Sequence, residues 1–158
     1  MTTGTDVWCK LGVTDALLHG GSKVRCDECA TELRHVHRFA HDRTGRRIGL
    51  GCCCAARLVA GYDAKGEERA AINRGKRRMT FIDSKQWRTS EANNANVWRD
   101  VLIARKSYRV TVFFRDNQFC ACVAVGNDDK RFTRKYAMRE QAMSAAFEIV
   151  DAIKGNAR

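Results

Sequence analysis

The sequence predicts an α+β fold in two small lobes: a cysteine-rich knuckle–hairpin–helix, then a three-stranded antiparallel sheet packed on a C-terminal helix. Three observations carry that expectation. The stretch CDECATELRHVHRFAHDRTGRRIGLGCCCAARL, residues 26 to 58, holds five of the eight cysteines and three of the four histidines. Residues 108–137 fall into three β-patterned runs separated by turn residues. Residues 138–155 then place apolar side chains at helical spacing.

In the first lobe, Cys26 and Cys29 form a C-x-x-C pair flanked by short polar residues, with Gly20, Gly21 and Ser22 before it. Two thiolates at this spacing grip one tetrahedral zinc from a tight turn. Glu32 to His41 alternates as a strand, with Leu33, His35, His37, Phe39 and His41 on one face. DRTGR supplies a turn in which Gly45 is free to take positive φ. RIGLG returns as a second strand, and CCCAARLVAG reads as a helix beginning near Cys54. Knuckle, hairpin and helix in this order match a treble-clef or zinc-ribbon-like site. One ligand pair sits on the knuckle and the other where the second strand enters the helix, where free N–H groups favour thiolates. The expected ligands of one structural zinc per chain are therefore Cys26, Cys29, Cys52 and Cys54. Cys53 points away. The second pair is C-x-C rather than C-x-x-C, so His41 or His37 remains an alternative to Cys52 as the fourth ligand. Otherwise these two histidines pack on the hairpin or orient a ligand sulfur.

Redox and catalytic alternatives fit the residues less well. A thioredoxin-like C-x-x-C opens a helix after a strand, which the flanks of Cys26 do not offer. A ββα-metal nuclease needs a further His or Asn ligand on its helix, and CCCAARLVAGYDAKGEER has neither. Zinc deaminases need H-x-E and P-C-x-x-C, and the chain contains no proline. Four thiolates leave zinc no position for water, so no enzymatic activity is expected.

The arrangement C-x-x-C … R-H-V-H-x-x-x-H … G-C-x-C-A resembles a group of small bacterial and phage-borne zinc-binding proteins. The matching positions are Cys26, Cys29, His37, His41, Gly51, Cys52, Cys54 and Ala55. Cys53, between the pair, departs from that pattern. The resemblance implies a small metal-binding protein linked to mobile elements and supplies no activity.

Residues 63–79 read as a helix carrying the basic cluster Arg74, Lys76, Arg77 and Arg78. SKQWRTSEANNANVWRD, rich in Ser, Asn and Thr, reads as the join between the lobes. The expected division is thus a zinc-binding lobe at 1–62, a helical basic linker at 63–100 and a β-β-β-α lobe at 101–158. In the last, YRVTVFFR, FCACVAVG and KRFTRKYA are the strands, with DNQ and NDD as turns. Val110, Val112 and Phe114 share a face with Phe119, Ala121, Val123, Val125, Phe132 and Tyr136, and this face covers the helix. The opposite face then carries Arg109, Thr111, Phe113, Arg115, Arg131, Thr133 and Lys135. The strand–strand–strand–helix order is similar to the DNA-binding domain of plant ethylene-response-type factors, without their second-strand tryptophan. It is also similar to the end of a double-stranded RNA-binding domain, without that family's glycine-lysine-lysine helix start.

Net charge is +11, which suits a partner bearing phosphates. The expected partner is DNA or RNA, met by Arg109, Arg115, Arg131, Lys135 and Phe113, with Arg74, Lys76, Arg77 and Arg78 on the backbone. The alternative is a protein-binding inhibitor or adaptor acting on a host or defence complex, for example of CRISPR type. With no secretory leader and no membrane-length apolar run, a cytoplasmic location in a bacterial cell is expected.

Overall fold

A computed structural model describes residues 7–18, 21–126 and 129–157. The α+β class holds. The chain divides into two compact units, Met1–Lys76 and Arg77–Arg158.

In the first unit, β1 (Trp8–Asp15), β4 (His35–His41) and β5 (Arg47–Leu50) form an antiparallel sheet in the order β1-β4-β5. β4 and β5 are the expected hairpin, turning at Gly45 with φ 67°. Strand β1 was not foreseen. Its register shifts between Lys10 and Gly12, and Gly12 takes φ 121°, so a bulge interrupts the alternation that marks a strand. The knuckle is a miniature hairpin, β2 (Val24–Arg25) paired with β3 (Glu32–Leu33). The helix α1 (Cys52–Leu58) follows β5 directly, starting at Cys52 rather than Cys54. The helix α2 (Ala64–Ile82) begins in this unit. The core is small: Cys26, Phe39, Ile48, Leu50, Cys54, Ala55 and Ala64, edged by Trp8, Leu33 and Tyr62.

Among the described residues, the second unit holds five strands rather than three, in the order β10-β9-β8-β7-β6. They are β6 (Arg88–Thr89), β7 (Val97–Ile103), β8 (Lys106–Arg115), β9 (Gln118–Val125) and β10 (Asp129–Phe132). The Ser-, Asn- and Thr-rich segment between the lobes thus supplies β6 and most of β7. One face lies under α3 (Arg139–Asn156). Val97, Val101, Ile103, Val110, Val112, Ala121 and Val123 from the sheet meet Ala142, Met143, Ala146, Phe147 and Val150 from the helix. Phe81 completes this core, with Trp87 beside it. The Trp87 indole donates to the Phe81 carbonyl at 2.9 Å, so Trp87 is a packing anchor.

Register corrects one strand of the expected face assignment. Val110 pairs with Val123 and Val112 with Ala121, as expected. However, Asp129 pairs with Val125, which puts Arg131 opposite Val123 and Phe132 opposite Cys122. The pleat therefore turns Phe132 outward and gives Arg131 core-side parity on an edge strand. Lys130, opposite Ala124, takes the outward place expected for Arg131. Of the expected turn NDD, residues 127–128 lie outside the described residues.

The β7–β8 hairpin turns on Ala104 and Arg105, with φ 47° and 65°. These are the left-handed angles of a two-residue turn that Asn-Gly fills best. An L side chain with a Cβ pays roughly 1–2 kcal/mol there. Replacing Ala104→Asn together with Arg105→Gly is expected to stabilise the second unit by about 1 kcal/mol. The check is a higher urea midpoint; an unchanged or lower one would contradict the turn assignment.

Candidate functional site

The knuckle is fastened to β5. The Asp27 amide donates to the Gly49 carbonyl at 3.0 Å, and the Gly49 amide donates to Asp27 Oδ2 at 2.6 Å. Within the knuckle, the Cys26 amide donates to the Thr31 carbonyl and the Ala30 amide to the Cys26 carbonyl, both at 2.9 Å. Ala30 takes φ 58° to close the loop. This scaffold brings Cys26 and Cys29 to the start of α1, where Cys54 joins them. The three sulfurs lie within 4.8 Å of one another, and no cysteine among the described residues is in a disulfide. The group is suited to hold a metal ion. A tetrahedral ion with sulfurs at about 2.3 Å needs them roughly 3.8 Å apart, which this cluster accommodates.

The protons on these sulfurs are unevenly held. The Thr31 hydroxyl, 3.3 Å from Cys29 Sγ, and the Thr31 backbone bring the Cys29 thiol down to about 7. Cys54 is pushed up to about 11, first by its hydrogen bond to Cys29, then by burial and by Cys26. The Gly51 amide adds a donor to Cys26 Sγ at 3.4 Å. The Cys29 thiolate forms readily, and Cys54 then resists ionising. A bound cation removes that conflict, since coordinated thiols are deprotonated outright.

Cys52, expected as the fourth thiolate, stands elsewhere. Residues two apart on an α-helix are about 200° apart around its axis, so Cys52 and Cys54 leave α1 on opposite sides. The usual C-x-x-C spacing would put the fourth cysteine at position 51, which is glycine. A Cβ there would come 2.9 Å from Leu33 Cδ2.

Cys52 instead belongs to a second group with His37 and Glu68, again with donor atoms within 4.8 Å. His37 is fully buried. Its Nδ1 lies 2.9 Å from Tyr62 Oη, and its Nε2 lies 3.2 Å from Glu68 Oε2. His35 Nδ1 is 3.8 Å from the other Glu68 oxygen. Burial, then the Glu68 charge, pushes the Cys52 thiol up, and burial pushes Tyr62 up to about 12. Nothing in the sequence singled out Glu68, one carboxylate among many charges on α2. His41 belongs to neither group. Its ring packs edge-on against Trp8 at 5.1 Å, and its Nδ1 accepts from the Arg43 and Thr44 amides at 3.3 Å. It braces the hairpin turn.

In the second unit, the sheet face away from α3 carries Arg109, Thr111, Phe113 and Arg115, as expected, joined by Lys130 and Phe132. The added strands bring Arg88 and Trp98 to the same face. A cavity of about 570 Å³ lies against it, lined by Asp100, Arg109, Thr111, Phe113, Lys130 and Phe132 among others. The Arg109 guanidinium stacks 4.5 Å over the Trp98 ring and binds Asp100 at 3.0 Å. Arg109 holds the Asp100 carboxyl below the usual carboxylate range.

Most of the other expected contact residues lie in ion pairs. Lys135 binds Asp116 at 2.8 Å, and Arg115 reaches the same carboxylate at 4.0 Å, at the tip of the β8–β9 hairpin. Arg131 lies 3.8 Å from Asp129. In the basic cluster, Arg77 pairs with Asp151 and Arg78 with Glu148, each at 3.3 Å, and the Arg78 side chain is only 15% exposed. These two fasten α2 to α3. Arg74 and Lys76 stand exposed on α2.

No family model, no curated protein and no solved structure matches the chain.

In metal-free, reduced protein, alkylation by iodoacetamide is expected to reach Cys29 with a midpoint near pH 7 and to leave Cys54 unmodified until far more alkaline pH. Thr31→Val removes the hydroxyl that favours the thiolate, so it moves the Cys29 midpoint upward. Peptide mapping by mass spectrometry reads both. Equal midpoints for Cys29 and Cys54 would contradict the hydrogen-bond assignment.

Proposed function

We propose that the chain is a non-enzymatic nucleic-acid-binding protein stapled by one structural zinc, and that it binds single strands on the open sheet face of its second unit. The zinc is held by Cys26, Cys29 and Cys54, a sulfur-rich set that suits zinc among common cytosolic metals. The phage or mobile-element origin implied by the motif of the first unit fits a small protein of this kind.

One observation carries the binding role: aromatic rings standing on the uncovered face of the sheet between cations. Phe132 is 61% exposed, and it lines the cavity with Phe113, Arg109 and Lys130. An antiparallel sheet with one face covered needs only polar residues on the other, so these rings are not demanded by the fold. Unpaired bases stack on such rings for about 1–3 kcal/mol each, whatever their identity. Duplex nucleic acid hides its base faces, so the aromatic part of the surface favours single strands. Thr111 and Ser107 add hydroxyl groups beside the rings. Net charge of +11 supplies the long-range attraction.

Anisotropy of labelled oligo-dT, oligo-U and a mixed duplex tests this. Single strands are expected to bind more tightly than duplex, with affinity falling steeply as salt rises. Phe132→Ala is expected to weaken single-strand binding by about 1–3 kcal/mol. Two substitutions in one ion pair should act in opposite directions. Arg109→Glu weakens binding about tenfold or more, and Asp100→Asn releases Arg109 and tightens binding a few-fold. Absence of binding at low salt, with a protein co-purifying instead, would favour the inhibitor or adaptor function.

A further inference from the structure

The cluster around His37 is explained neither by the thiol group of Cys54 nor by the sheet face. We propose that His37, Cys52 and Glu68 form a second transition-metal site in the first unit, separate from the Cys26–Cys29–Cys54 site and taking a zinc-class divalent ion. The three donors come from β4, α1 and α2 and converge within 4.8 Å. A nitrogen, a thiolate and a carboxylate oxygen are three donor types that zinc accepts together, and three protein donors leave one position for water or a further ligand.

The geometry around each donor supports this. The His37 ring is fully buried, and its Nδ1 lies 2.9 Å from Tyr62 Oη. With Nδ1–H donating to that oxygen, the Nε2 lone pair would face Glu68 and Cys52, as metal-ligating histidines require. The 3.2 Å between His37 Nε2 and Glu68 Oε2 is close to the roughly 3.3 Å separating nitrogen and oxygen ligands of one tetrahedral zinc. His35 Nδ1 stands 3.8 Å from Glu68 Oε1, on the other side of the carboxylate. Cys52 and Glu68 are partly exposed, which gives an ion a way in. The opposite sides of α1 serve the two sites, so one short helix is tied down twice.

The test uses the full chain, reduced, stripped with chelator and titrated with cobalt(II). Two equivalents are expected to bind. The first shows the strong thiolate-to-cobalt charge transfer of three Co–S bonds, and the second adds the weaker band of one. Cys52→Ser abolishes the second band and leaves the first. Glu68→Gln, which keeps the side-chain volume, weakens the second site about tenfold or more, with the first unchanged. Cys54→Ser diminishes the first band and spares the second. Saturation of wild-type protein at one equivalent would overturn the proposal and leave His37, Tyr62 and Glu68 as a hydrogen-bonded network only. A second band that survives Cys52→Ser would overturn it as well. Wild-type stoichiometry decides the matter even where a variant does not fold. Failure of nucleic-acid binding leaves this test untouched.

Discussion

The arrangement of the first unit turns on three sulfurs, those of Cys26, Cys29 and Cys54, brought within 4.8 Å of one another. Its apolar core is small, with Phe39, Ile48 and Leu50 as the only large aliphatic or aromatic side chains in the buried cluster of the described residues. A core of that size gains much from a staple. Cys26 and Cys54 are themselves part of that core, so a metal drawing them together with Cys29 would cross-link the knuckle to α1 through the centre of the unit. The hydrogen bonds between Asp27 and Gly49 set the approach, and the Thr31 hydroxyl prepares one thiolate. Metal binding in such a unit is folding free energy, of order 10 kcal/mol in zinc-finger systems.

The second unit meets its needs differently. Strands β7, β8 and β9, α3 and Phe81 enclose a continuous core of mostly valines, alanines and phenylalanines, with no cysteine, histidine or carboxylate in the buried cluster. Arg99 lies on the core side, its guanidinium 4.7 Å over the Phe81 ring and donating to the Phe81 carbonyl at 3.1 Å. Burial lowers its proton affinity. Because α3, with Phe81 and Trp87, packs on one face, the other is free to be specialised. The aromatic and basic residues there form ordered pairs, Arg109 and Arg88 on either side of Trp98. Ordering a cation on a ring in advance reduces what must be immobilised on binding.

Much of this was legible in the sequence, and the losses have identifiable causes. The C-x-x-C knuckle, the β4–β5 hairpin, β8, β9 and α3 follow from ligand spacing, Gly45 and clean periodicity. Strand β7 was hidden because its turn, Ala104-Arg105, lacks the Asn, Asp or Gly that announces a hairpin. Strand β1 was hidden by its bulge at Gly12. The faces of Arg131 and Phe132 depended on the length of one connection, and a shift of one residue reverses a strand. A helix beginning near Cys54 leaves Cys52 on the incoming strand beside it, whereas α1 begins at Cys52 and turns the two apart. Glu68 needed the tertiary fold, because only the path of α2 brings it to His37.

The thiol cross-link is tested most directly by X-ray absorption at the zinc edge on protein carrying one zinc per chain. Three sulfurs at about 2.3 Å with one lighter scatterer, oxygen or nitrogen, is the expected shell. Four sulfurs, which would return a further cysteine to the site, or a shell of oxygen and nitrogen alone, would contradict it.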